Sequence, residues 1–211
     1  MGKQITSVVF DLGGVLIDWN PRYLYRDLFA GNDIAMEEFL STICTQTWNE
    51  KQDAGRSFAD GAAELKEIHP EKSSLIDAWH PGFDKMLAGP ITGTVDILNE
   101  LHKQGAPLYA LTNWSAETFP LALNRFDFLG KFKGIVVSGH EKVAKPDRRI
   151  FDLIAERYDL KPSSTLFIDD NPPNIATAKA LGFTAIHFTS PENLRAELKH
   201  FDLPSLQRCA L

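Results

Sequence analysis

Cysteine is scarce in this 211-residue chain: Cys44 and Cys209 are the only two, far apart and without metal-type spacing. That argues against a thiolate metal site and against a disulfide-stapled scaffold. The pair reads as reduced thiols of a cytoplasmic protein, with a bridge between them left open. No apolar run approaches the roughly 18 residues of a membrane span. Lys3 is followed almost at once by an apolar, strand-like run, so no signal peptide is expected. Met1-Gly2 with Thr6 fits the loose myristoylation pattern, but Gly2 abuts a run that should be tied into a sheet, and no membrane partner is expected. A basic excess is missing too. Lys and Arg number 22 against 28 Asp and Glu, a net charge of −6, which argues against a nucleic-acid surface without forbidding a local basic pocket. Internal repeats and low-complexity segments are absent.

The remaining composition is ordinary for a globular protein, at 44% hydrophobic and 24% charged. The length suits one large domain, or a core with a small insertion. From residue 90 onward, helix and strand patterns alternate. Helical stretches are expected over 92–104, 116–125, 147–158, 173–181 and 191–199, and strands over 107–112, 134–138, 165–168 and 183–188. With Ser7-Val8-Val9-Phe10, this predicts an α/β fold: a Rossmann-like parallel sheet of about five strands built from right-handed βαβ units. Residues 20–88 break the pattern. They hold no convincing strand but several helical stretches, including 21–29, 34–44, 58–68 and 73–79. The expected organisation is a core of residues 1–19 and 89–211 with a helical cap of residues 20–88 inserted after the first strand. A cap in that position would close over the carboxyl end of the sheet and exclude water.

Two apolar strands end in carboxylates, and these carry the functional reading. Ser7–Phe10 runs into Asp11-Leu12-Gly13-Gly14, and Thr165–Ile168 runs into Asp169-Asp170-Asn171. In parallel sheets the carboxyl ends of the strands form the ligand crevice. If the two strands are neighbours, three carboxylates meet there, and each like-charge pair at about 4 Å costs roughly 4 kcal/mol at an effective dielectric near 20. A divalent cation relieves that repulsion, and an all-oxygen ligand set suits Mg²⁺. Asp11 is the candidate nucleophile. Gly13 and Gly14 let the backbone turn sharply and approach an anion or metal closely. Thr112 and Asn113, closing the strand over 107–112, offer a hydroxyl and backbone amides to phosphate oxygens. Lys145-Pro146-Asp147 would supply a point charge to phosphate and to Asp11, with Pro146 at a helix start.

Taken together and in this order, Asp11-Leu12-Gly13-Gly14-Val15, Thr112-Asn113, Lys145-Pro146-Asp147 and Asp169-Asp170-Asn171 resemble the haloacid dehalogenase-like (HAD) hydrolase superfamily. Within it, the set is most similar to the small sugar-phosphate phosphatases and the phosphatase domain of soluble epoxide hydrolase. The resemblance implies a Mg²⁺-dependent phosphatase of small phosphate monoesters, sugar phosphates among them, acting through an aspartyl-phosphate on Asp11. It implies metal ligation by Asp11, the Gly13 carbonyl and Asp170, with Asp169 acting through water, and phosphoryl binding by Thr112 and Lys145. It also places Trp48 and the segment Gln52-Asp53-Ala54-Gly55-Arg56 where the cap reaches the active site. Arg56 would pair with a second anionic group, and Trp48 or Trp114 would stack on a sugar ring; packing of both tryptophans and a solvated Arg56 stand as the alternative. Trp19 and Trp79 are assigned to packing.

The chain departs from the family pattern at Gly13, where most phosphatases of the superfamily carry a second Asp that protonates the leaving group. A missing second Asp is also expected of 2-haloacid dehalogenases, the nearest rival. Against that rival stand the acidic pair Asp169-Asp170 and Asn174, an amide at the position of the dehalogenases' water-activating Asp. A non-catalytic protein binding a phosphorylated ligand is the other reading. The expected partner is a small phosphorylated molecule, the chain being a monomer or homodimer.

Overall fold

Val8, Val9 and Phe10 alternate between two faces, and both faces are buried, which is why this strand reads as an unbroken apolar run. The computed structural model describes residues 3–203; Gly2 and Cys209 lie outside the described residues. Within them, β1 (Lys3–Gln4) pairs with a late strand β9 (Phe201–Asp202), and β2 (Ser7–Phe10) is the centre of the main sheet. The other members are β5 (Leu108–Thr112), β6 (Gly134–Val137), β7 (Thr165–Asp169) and β8 (Thr184–His187). Their order is β6-β5-β2-β7-β8, and every pairing is parallel. The five-stranded α/β sheet expected from sequence is therefore present. The chain builds outward from β2 to β6, then returns to add β7 on the other side. That reversal opens a crevice at the carboxyl ends of β2, β5 and β7.

Helices cover both faces. α6 (Thr92–Lys103) and α11 (Pro191–Leu198) place Ile97, Leu98, Leu101, Leu194 and Leu198 in the cluster that holds Val8 and Phe10. α9 (Arg148–Arg157) and α10 (Pro172–Ala180) place Ile150, Phe151, Ile154 and Ile175 on the Val9 face. The short α7 (Phe119–Arg125) and α8 (Ser138–Glu141) follow β5 and β6. α7 begins three residues later than its pattern predicts, with Pro120 in its first turn, where the missing N–H costs nothing. Pro146 does not open a helix: it follows a cis peptide bond, and α9 starts at Arg148 with Asp147 as its cap.

A two-stranded antiparallel ribbon, β3 (Ile17–Trp19) with β4 (Leu87–Pro90), carries the chain away from the sheet and back. Sequence reading assigned no strand to either segment. Between them lie five α-helices: α1 (Arg22–Leu28), α2 (Asp33–Thr42), α3 (Gln46–Asp53), α4 (Phe58–Ile68) and α5 (Ser73–Asp77). The side chains of Asn32, Thr45 and Ser57 cap α2, α3 and α4 by accepting backbone N–H bonds. Tyr25, Phe39, Trp48, Phe58 and Trp79 form the aromatic centre of this block. Cys44 is buried there as a free thiol. Among the described residues, no helix is long and apolar enough to cross a membrane.

Candidate active site

The first side of the site is the turn after β2. The Asp11 N–H still donates to the Ile168 carbonyl at 2.8 Å, as in the ladder, and the chain then folds back so that the amides of Leu16 and Ile17 both reach the Leu12 carbonyl. The reversal needs Gly14 at φ 72°, the left-handed region that favours glycine. Gly14 is also where Asp170 comes in: a Cβ built there would lie 2.2 Å from Asp170 Oδ2. The turn thereby leaves the Asp11 carboxylate facing the crevice, its Oδ1 accepting the Leu12 N–H at 2.7 Å.

β7 supplies the second side. Asp169 is fully buried and its oxygens are heavily engaged. They accept the Asn171 N–H at 2.8 Å, the Asn174 amide at 3.0 and 3.1 Å, and the Lys145 ammonium at 2.7 Å. Asp170, one residue on, is open to the crevice, and its carbonyl pairs with His187 Nε2 at 2.9 Å. Asp11, Asp169 and Asp170 each present a carboxylate oxygen within 4.8 Å of the others.

Lys145 closes the third side from the loop after α8. Its Nζ lies 2.9 Å from Asp11 Oδ2, 2.7 Å from Asp169 Oδ2 and 2.8 Å from the Leu111 carbonyl, so all three ammonium protons are used. The lysine loop is itself clamped by Asn113, which accepts the Lys145 N–H at 2.8 Å and donates to its carbonyl at 2.9 Å. The Asn113 side chain thus positions Lys145. Thr112, at the end of β5, is completely buried with no partner for its Oγ1. A buried hydroxyl without a partner costs about 1–3 kcal/mol, a cost that a bound oxygen ligand would remove.

The electrostatics follow from this crowding. Burial pushes Asp11 up to about 8, Asp169 and Asp170 adding to the rise and Lys145 opposing it. Burial is the largest cause of that rise, and the lowering by Lys145 does not offset burial and the two neighbouring acids together. Lys145 loses by burial but gains more from Asp11 and Asp169, and its net shift is upward, so it stays charged. Asp170 is also raised, by burial and then by Asp169. The donor set fits a divalent, oxygen-loving cation, because the acids gather faster than the fixed positive charge can compensate.

Above the carboxylates, the helical block and the sheet enclose a cavity of about 670 Å³. Asp11, Gly13, Gly14, Asn113, Lys145 and Asp170 line its floor, as sequence reading expected of site residues. Trp114 lines it too, and so does Trp19, which sequence reading had assigned to packing. Four expected residues do not line it: Thr112 and Asp169 are completely buried, and Trp48 and Arg56 belong to the helical block. Trp48 is buried among Phe58 and Trp79, its indole N–H donating to the Gly61 carbonyl. Arg56 is held by Gln52, Glu64 and the Trp48 carbonyl. The face that does look into the cavity is Gln46, Asn49, Glu50 and Asp53 on α3, with Phe83 beside it. Their i, i+3, i+4, i+7 spacing is a polar helical stripe; Asp53 belongs to the segment expected at the site, while Gln46, Asn49 and Glu50 were passed over by hydrophobic periodicity.

Residues 5–182 match the family described as haloacid dehalogenase-like hydrolase. A sesquiterpene phosphatase of Aspergillus oryzae is 26% identical over 90% of this chain and 92% of its own length. A phosphoglycolate phosphatase of Escherichia coli is 24% identical, over 89% of this chain and 82% of its own. Among solved structures, a HAD family enzyme from Bacteroides thetaiotaomicron in complex with magnesium and inorganic phosphate superposes with a TM-score of 0.66. It is 25% identical and covers 88% of this chain and 95% of its own.

Proposed function

The chain belongs to the haloacid dehalogenase-like hydrolases, and from that premise we propose that it is a Mg²⁺-dependent phosphatase of small phosphate monoesters. The observation that carries the reading is the convergence of Asp11, Asp169, Asp170 and Lys145 at the carboxyl ends of adjacent strands. Asp11, the Gly13 carbonyl and Asp170 would hold the cation, which supplies charge neutralisation for an approaching phosphoryl group when bound. Asp169 serves the site through Lys145, since its own oxygens are occupied. Asp11 is the nucleophile, the unpartnered Thr112 hydroxyl takes a phosphoryl oxygen, and the Lys145 charge favours the extra negative charge of the transition state.

Residues 20–88 are the cap in this reading, and residues 1–19 and 89–211 the core. The phosphatase names and the magnesium–phosphate complex among the relatives support the reaction class. The leaving group is a neutral one, such as a sugar. Beyond Lys145 the cavity wall has no cationic side chain, and Arg56, the candidate for a second anion, is turned away. Asn174 weighs against dehalogenation, because its amide donates to Asp169 and cannot serve as a base. The test is phosphate release from a panel of sugar phosphates and 2-haloacids with and without Mg²⁺. Asp11→Asn should abolish the release, and full turnover in excess chelator would refute the metal.

A further inference from the structure

A leaving alkoxide needs a proton, and Gly13 puts no side chain beside the nucleophile to give one. The charged groups lining the cavity are Asp11, Glu50, Asp53, Lys145 and Asp170. Asp11 attacks, Asp170 faces the cation site, and the three protons of Lys145 are committed to Asp11, Asp169 and the Leu111 carbonyl. That leaves the two acids of α3. Glu50 is exposed and bonded only to the Gln46 amide of its own helix, at 3.3 Å. Asp53, the last residue of α3, is fixed from both sides. Its carboxylate accepts the Asn49 amide at 3.0 Å and the backbone N–H of Ser115, and its carbonyl accepts the Ser138 hydroxyl at 2.5 Å.

We propose that Asp53 is the general acid–base of the reaction, reaching the ester oxygen from the opposite wall of the cavity. The proposal rests on the phosphatase reading above. In the first step Asp11 Oδ forms a bond to phosphorus, the phosphorus–ester oxygen bond breaks, and the Asp53 proton passes to the departing oxygen to give the alcohol. In the second, a water oxygen attacks phosphorus, its proton returns to the Asp53 carboxylate, and the bond between Asp11 and phosphorus breaks. The sum is ester plus water to alcohol plus inorganic phosphate, with both acids restored. Burial, with a contribution from Glu50, pushes Asp53 up to about 7 against the lowering effect of Ser115. An acid near the working pH both gives and accepts a proton readily.

The experiment compares wild type, Asp53→Asn and Asp11→Asn on an alkyl phosphate, such as a sugar phosphate, and on p-nitrophenyl phosphate, whose leaving group departs without a proton. Asp53→Asn should lower kcat for the alkyl ester roughly 10²- to 10⁴-fold with little change in KM. On the aryl ester it should give a burst of nitrophenolate and then stall, with phosphorylated protein accumulating in the mass spectrum. Equal loss on both esters without a burst, or a change in KM alone, would mean that Asp53 only ties α3 to the core. If Asp53→Asn fails to fold, single-turnover rates of the wild type across a series of leaving groups decide. A shallow dependence on leaving-group basicity is expected, and a steep one overturns the assignment. Activity surviving in Asp11→Asn, or wild type inert toward both esters, would instead strike the phosphatase reading itself.

Discussion

Replacing Asp11 by Asn should make the metal-free protein more stable while removing its activity. The folded-state pKa of Asp11 is about 8 against an ordinary 3.8, chiefly through burial and then through its acidic neighbours. Below about pH 4 the group is protonated in both states. Between about 4 and 8 the unfolded chain has released its proton while the folded one keeps it, so stability falls as pH rises; above 8 the penalty is complete. Four units at about 1.4 kcal/mol each set a ceiling on the order of 5 kcal/mol. Asn forfeits the ion pair with Lys145, which keeps Asp169 and the Leu111 carbonyl. The opposing pull of Lys145 is already contained in the Asp11 shift, so the variant should gain stability at pH 8 up to that ceiling, at about 2–4 °C in Tm per kcal/mol for a chain of this length. The assay is a series of thermal melts in chelator from pH 5 to 8.5, repeated with Mg²⁺. A cation at a hundred times its Kd adds about 2.7 kcal/mol to whichever protein binds it, so the gap should narrow or invert for the wild type. A variant melting below wild type in chelator at pH 8 would refute the crowding of charge on which the cation site rests.

Lys145→Met leaves Asp169 buried without a counter-charge and should cost about 3–5 kcal/mol, seen as a lower urea midpoint; an unchanged midpoint would contradict the buried pairing. Gly14→Ala drives a methyl group against Asp170 at a left-handed backbone position, and calorimetry should find Mg²⁺ affinity reduced by about tenfold or more. Arg56→Ala should leave KM within about twofold, since its partners are all in the helical block; a tenfold rise would return it to the cavity.

The sheet was readable because both of its faces are covered, which turns Val8-Val9-Phe10 and Leu166-Phe167-Ile168 into unbroken apolar runs. Acids at the ends of such runs then point to the crevice. α3 escaped notice because Trp48 is its single apolar residue and its other faces are polar. The β3–β4 ribbon was missed because three residues are too few to show alternation and because Gly89 and Pro90 mimic a turn. Trp48 and Arg56 lie near the right segment, but one helical turn decides between cavity and interior, and composition does not carry that angle. Asn113 was placed at the site, while its grip on the Lys145 backbone depends on a contact 32 residues away in sequence.

An ammonium whose every N–H is already spoken for cannot greet a newcomer with a free hand. An arriving phosphoryl oxygen must share one of those hydrogens or take it from Asp11, Asp169 or the Leu111 carbonyl. Under the phosphatase proposal Lys145 therefore acts first through its field, and an ester that drew its proton from Asp11 would loosen the contact that restrains that carboxylate.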